Sequence, residues 1–127
     1  MTFRFTHHYS RDEARALLPQ VRLWLTQLLE HRRTFEKIDQ RLGQMLGQGN
    51  DLGGKLVNEW ITALCELKTI LQEFQQREIQ IKDVERGLID FPAIIGGREV
   101  FLCWEQDEED IEFWHDLETG YAGRERL

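Results

Sequence analysis

The chain has only two cysteines, Cys65 and Cys103, too few for a disulfide framework. They lie in different predicted elements, so both are expected as free thiols in a reducing compartment. No CxxC and no Cys/His spacing of zinc-finger type occurs. No stretch approaches the roughly 20 apolar residues that span a bilayer. The opening MTFRFTHHYSRDEARA lacks the basic-then-apolar pattern of a secretory leader. GxSxG, P-loop and Rossmann glycine patterns are missing too. These absences set aside export, membrane insertion and the commonest nucleotide-site signatures, and a cytoplasmic location is expected.

What is present fits one domain spanning residues 1–127, with 41% hydrophobic and 31% charged residues, a soluble globular composition. The net charge of −7 is unevenly spread. Residues 1–50 carry eight basic and five acidic groups, whereas residues 51–127 carry eight and eighteen. Residues 105–118 hold eight Asp/Glu and no Lys/Arg, a surface that repels a phosphate backbone, so no nucleic-acid partner is expected there. The strip Arg32, Arg33, Lys37 and Arg41 reads as a solvated helix face.

Ser10-Arg11-Asp12-Glu13 forms a capping box, in which hydroxyl and carboxylate satisfy orphan N–H groups. Apolar positions then recur in heptads. Ala14, Val21, Leu28, Phe35 and Leu42 make one row, and Leu17, Trp24, His31, Ile38 and Met45 the next. This predicts a coiled-coil-like helix over residues 11 to about 46, kinked at Pro19. Gly47, Gly49, Asn50, Asp51, Gly53 and Gly54 make a flexible break. A second helix follows over about 55–78, with the seam Val57, Trp60, Leu64, Leu67, Leu71 and Phe74. The pair is an antiparallel helical hairpin covering about residues 10–78.

From about residue 79 to 127 the period changes to that of strands. Runs at 88–95, 98–104 and 111–117 predict an antiparallel meander, and residues 3–7 a possible fourth strand. Gly96-Gly97 is the first hairpin turn, and Pro92 puts its strand at an edge or a bulge. The expected class is therefore α+β, with the long hairpin packed on a small sheet of three to four strands. These strands are apolar on both faces, and the hairpin covers only one. A second subunit is the simplest cover for the other, which predicts a homodimer.

The segments KDVERGLIDFP, GREVFLCW and WHDLETGYAGR, with Tyr9-Ser10, Glu13-Ala14 and Leu17-Leu18-Pro19 near the start, resemble an uncharacterised bacterial family, domain of unknown function 2203. The resemblance covers nearly the whole chain. It implies no activity, substrate, cofactor or catalytic residue.

Chemistry-bearing residues concentrate in residues 82–127. Cys103, His115 and Asp90, with Asp83 and Asp116 nearby in sequence, are candidate ligands for a divalent metal. Whether Cys103 and His115 share a sheet face depends on a register that the sequence leaves open. The alternative is a buried thiol and a histidine satisfied by one hydrogen bond. At most one of His7 and His8 could join such a site, since adjacent strand residues face opposite ways. Arg86, Arg98 and Arg124 each adjoin a glycine, with Lys82 close by, and are candidates for an anion or partner site. Asp83, Asp90, Glu99 and Asp116 compete for the same cations. An Asp90/Asp116 acid–base pair or a Cys103/His115 nucleophile–base pair is conceivable, without diagnostic spacing. The acidic stretch 105–110 lacks EF-hand spacing and reads as a solvated hairpin tip. His31, in the heptad core, is expected to meet a polar partner; buried and neutral, it would make the fold less stable below about pH 6.

Two functional readings follow. The first is a non-catalytic interaction or binding module, with a small-anion or protein-partner site in the β region. The second is a small metal-dependent, hydrolase-like enzyme centred on Cys103, His115 and Asp90.

Overall fold

The computed structural model describes residues 2–49 and 54–127. Helix α1 spans Arg11–Gly47 and α2 spans Gly54–Gln76. A five-stranded antiparallel sheet follows in meander order: β1 Gln80–Asp83, β2 Leu88–Ile95, β3 Arg98–Glu105, β4 Phe113–Asp116 and β5 Glu125–Arg126. A 3-10 turn at Tyr121–Gly123 precedes β5. The α+β class is as read from the sequence. Of the glycine-rich break between the helices, residues 50–53 lie outside the described residues.

The capping box forms as expected. Ser10 Oγ accepts from the Glu13 N–H at 3.1 Å, and the Glu13 carboxylate accepts from the Ser10 N–H at 3.4 Å. The helix runs through Pro19, which is exposed. The heptad rows divide where the sheet ends. Ala14, Leu18, Val21, Trp24, Leu25 and Leu28 are buried, whereas Phe35, Ile38, Leu42 and Met45 are half-buried. All of the first group except Leu28 pack with Phe74 and Ile79 on Ile89, Phe91, Ala93, Val100, Leu102 and Trp104 of one sheet face. Each fully buried aliphatic or phenyl side chain contributes roughly 1.5–3 kcal/mol. His31 is not buried: its side chain is 32% exposed and its Nδ1 lies 3.3 Å from Glu66 across the hairpin. The polar partner is there, but the acid sensitivity expected of a buried neutral histidine loses its premise.

Two strands come from places the hydrophobic pattern did not mark, at Gln80–Asp83 and Glu125–Arg126. Residues 3–7 are not a strand. They run alongside the sheet, and the Tyr9 N–H donates to the Pro92 carbonyl at 2.7 Å. Pairing of β1 with β2 stops at Gln80 opposite Asp90, so the part of β2 beyond it is an edge. A strand residue's N–H and C=O point the same way. The N–H that Pro92 lacks therefore falls on that open edge, where no ladder bond is lost.

The second sheet face is buried by the chain itself, so the ground for expecting a second subunit there falls away. Phe5 packs on Phe101 with ring centroids 5.4 Å apart, and Arg124 stacks over Phe113 at 4.0 Å. The acidic stretch 105–110 is a solvated tip only in part: Gln106, Asp107 and Glu109 are exposed, whereas Glu105, Glu108 and Asp110 are half-buried. Arg15 pairs with Asp110 at 2.7 Å, Arg22 donates to the carbonyls of Gln106 and Glu108, and Arg124 pairs with Glu108 at 2.8 Å. The basic first half of the chain thereby docks on the acidic second half.

Glu78 ends α2 in the left-handed region at φ 58°. Its N–H donates to the Gln75 carbonyl and that of Ile79 to the Phe74 carbonyl, a helix closure that usually employs glycine. The strain costs roughly 1–2 kcal/mol. Against it, the Glu78 carboxylate accepts from the Thr6 hydroxyl and from the N–H groups of Thr6 and His7 at 3.0 and 2.9 Å. Glu99 likewise accepts from the N–H groups of Arg4 and Phe5 and pairs with His8 at 2.7 Å.

The Thr6 hydroxyl bond chiefly, with the His7 and Thr6 N–H groups, holds Glu78 below the usual carboxylate range against its partial desolvation. For Glu99, burial works upward, but the bonds from His8, Arg4 and Phe5 outweigh it and the value is again lowered. A lowered folded pKa means stability present above the unfolded value of about 4.3 and lost as the pH falls through the folded one. Acidification should therefore release residues 4–8 before the core. Hydrogen-exchange protection factors for Phe5, Thr6 and His7 are expected to drop between about pH 6 and pH 3. Unchanged protection would show that these carboxylates do not hold the segment.

Candidate metal centre

β2, β3 and β4 alternate between a face toward the helices and a face toward the chain's two ends. On the second face stand Asp90 from β2, Cys103 from β3 and His115 from β4. Asp90 lies directly opposite Cys103. His115 lies opposite Phe101, one diagonal step from Cys103. The register left open by the sequence therefore puts all three side chains together. They are buried, and their nearest donor atoms lie within 4.8 Å of one another.

His115 organises the cluster. Its Nδ1 lies 2.6 Å from the Asp116 carbonyl, which can only accept, so Nδ1 carries a hydrogen. Its Nε2 lies 3.0 Å from Asp90 Oδ2. Burial works against the imidazolium, but the hydrogen bonds to Asp90, Cys103 and the Asp116 carbonyl outweigh it and push the pKa from 6.5 up to about 10. A buried ion pair results, with both residues 1% exposed. Asp90 Oδ1 has no hydrogen-bond partner among the described residues, although it too is buried. A buried acceptor left unmade costs about 1–3 kcal/mol, more when charged.

A nucleophile–base relay would need one ring nitrogen on the thiol and the other on the carboxylate. Here both nitrogens lie against oxygen acceptors, and the contact with Cys103 is shared with them. The geometry is that of donors converging on one point. Beside it opens a cavity of about 240 Å³, lined by the three donors and by Lys82, Leu88, Leu117, Glu118, Gly120 and Tyr121.

The other candidates are placed elsewhere. His8 pairs with Glu99, and His7 lies near Glu13 at 3.8 Å. Asp116 joins the cluster only through its backbone carbonyl; its carboxylate pairs with Arg98 at 3.1 Å. Asp83 accepts from the Arg86 N–H in the turn after β1. Of the three arginines, Arg86 pairs with Glu105 at 2.9 Å and Arg124 with Glu108, and both stack on the ring of Tyr121. Arg98, paired with Asp116, lies over Trp114 and does not converge with them. Internal pairing thus engages all three. Tyr121 and the Asp116 carbonyl were missed by sequence reasoning. The first sits in a Gly-Tyr-Ala-Gly turn whose placement is tertiary, and a carbonyl leaves no trace in composition.

The chain belongs to an uncharacterised conserved protein family, DUF2203, whose profile matches residues 7–127. No curated protein and no solved structure matches it. Each donor falls in a different one of the three C-terminal segments that carry the family resemblance.

The raised pKa of His115 has a definite sign. The ion pair contributes fully below the unfolded value of about 6.5 and its contribution is lost as the pH rises toward about 10. Urea unfolding of chelator-treated protein should show stability falling between about pH 6.5 and pH 9.5, with a slope that His115→Gln flattens. The same slope in both proteins would mean that the imidazole is neutral throughout.

Proposed function

We propose that this member of the family binds one divalent transition-metal ion, zinc foremost, through Asp90, Cys103 and His115, and works as a small metal-dependent, hydrolase-like enzyme. The observation that carries this reading is Asp90 Oδ1, a buried carboxylate oxygen with no hydrogen-bond partner among the described residues, within a cluster of metal-ligating groups. Thiolate, imidazole and carboxylate together form a donor set suited to zinc. The bond from Nδ1 to the Asp116 carbonyl supports it further, since a ligating histidine is commonly oriented in this way by its other nitrogen. His115 Nε2 and Asp90 Oδ2, now 3.0 Å apart, would both be ligand atoms in a loaded site, and His115 would have to give up its Nε2 hydrogen to serve as one.

Catalytic zinc sites differ from closed structural ones in having three protein donors and a position left for water or substrate, and Asp90, Cys103 and His115 beside a cavity would supply three such donors. An ion held there would polarise a substrate carbonyl or lower the pKa of bound water toward neutrality. Both cysteines are free thiols, and a cytoplasmic, reducing setting would keep Cys103 available as a ligand.

The test is elemental analysis of protein purified without chelator or affinity tag, followed by cobalt substitution. One zinc equivalent per chain is expected, with thiolate-to-cobalt absorption that disappears in Cys103→Ser. The Asp90→Asn and His115→Ala variants should bind at least about tenfold more weakly. No metal content, together with no thermal shift on adding zinc, cobalt, nickel, iron or manganese, would sink the reading.

A second reading, the interaction module, rests on the outer half of the helical hairpin. Beyond Leu28 the α1 side of the seam is only half-buried, although Leu56 and Ala63 of α2 are buried; Leu46 and Ile61 are exposed, and a groove of about 750 Å³ runs along Thr34, Ile38 and Ala63. A second copy of the chain is the occupant we expect. Sedimentation should then report a dimer for the natural chain and a monomer for Ile38→Glu/Ile61→Glu. A monomer in both would remove the dimer.

A further inference from the structure

We propose that Lys82 makes the cavity beside Asp90, Cys103 and His115 an oxyanion subsite, so that the ligand is a small molecule bearing a carboxylate or phosphate group. The inference rests on the reading of that cluster as a metal centre and adds the ligand's chemical class.

Lys82 stands where β1 breaks register. Ile81 pairs with Ile89, but Asp83 pairs with Leu88, which leaves Lys82 as the extra residue of the strand. Bulges of this kind re-aim a side chain and occur beside active sites more often than elsewhere in sheets. Here the side chain forms part of the cavity wall, with its Nζ 4.9 Å from the centre of the Phe101 ring. Phe101 is the residue paired with His115. Lys82 is exposed at the rim of the cavity, its ammonium near an aromatic face rather than against a carboxylate.

The ionisable groups on the cavity wall are engaged by partners among the described residues, except Lys82. Asp90 Oδ2 and His115 Nε2 lie 3.0 Å apart. Glu118 pairs with Arg4 at 2.6 Å and is 82% exposed. Tyr121 is held by Arg86 and Arg124, each with its own carboxylate. Lys82 has no carboxylate partner among the described residues. An uncompensated cation on a wall shared with buried donor groups attracts an anion, and a metal beside it would add to the pull. The cavity volume of about 240 Å³ falls below the roughly 300–1,000 Å³ of sites for drug-sized ligands, which restricts the anion to a small one.

The experiment is calorimetric titration of zinc-loaded protein with inorganic phosphate and, separately, with acetate, beside Lys82→Met and Lys82→Arg. Lys82→Met keeps an unbranched stem over Phe101 and removes the charge. Zinc content is measured on every sample. The expected result is binding of at least one of the two anions to the natural chain. In Lys82→Met that binding should weaken by about tenfold or more, and Lys82→Arg should recover most of it, with zinc content equal throughout. Phosphate against acetate then tells which oxyanion the site prefers. Equal binding to Lys82→Met, or no binding of either anion to the natural chain, overturns the subsite. Loss of zinc together with the anion in Lys82→Met also overturns it, because Lys82 would then be acting on the metal ligands. A natural chain that takes up no zinc but binds phosphate through Lys82 overturns the metal reading alone and supports the subsite.

Discussion

The pairing register of β2, β3 and β4 is the constraint on which the rest depends. With Asp90 opposite Cys103 and Phe101 opposite His115, the three polar side chains share one face and the apolar set Ile89, Phe91, Val100, Leu102 and Trp104 shares the other. A slip of one residue in β3 would turn Cys103 toward the helices and move Leu102 out of the core. The hydrophobic term opposes that slip strongly, because every core side chain on the strand would have to leave at once. Packing against α1 therefore also positions the cluster on the far side of the sheet.

That cluster is costly for the fold. A carboxylate and an imidazolium are desolvated together, and one carboxylate oxygen goes without a hydrogen-bond partner among the described residues. Buried ion pairs rarely stabilise a protein relative to well-packed apolar residues. The surrounding structure accommodates it through parts of the chain remote in sequence. Residues 4–8, held by Glu78 and Glu99, cover one side, and the turn at Tyr121–Gly123 with Arg124 covers the other. Glu78 accepts backbone strain at the end of α2 to anchor the first of these covers. The second is anchored by Glu108, in the same acidic stretch that receives Arg15 and Arg22 from α1. The opposite charges of the two halves of the chain thus become a set of contacts between helix and loop.

Much of the fold was legible in the order of residues because it depends on near neighbours. The capping box needs four consecutive residues, the helical seams need only the recurrence of three and four, and the strand runs need alternation. Five strands rather than three or four were harder to read. Gln80–Asp83 and Glu125–Arg126 are too short and too polar to carry a pattern and become strands only because a neighbour offers its edge. The second subunit was expected because two-sided apolar strands need two covers. The expectation missed that the chain's own ends could serve as the second. His31 was read as a core residue from its heptad position, but the sheet does not reach that far along α1.

The candidate site divides along the same line. Residue order alone determined that Asp90, Cys103 and His115 were the groups with metal-binding chemistry, because ligand type is a property of the side chain. It determined too that Arg86, Arg98 and Arg124 would have carboxylates competing for them, because the chain is acidic. Only the tertiary structure decided that the first three meet and that Arg98 stands apart from the other two arginines. It also decided that Lys82, singled out by a bulge, is the cation left facing the cavity. The physical reason is that donor convergence requires a register, and a register is chosen by the burial of the opposite face, summed over strands distant in sequence.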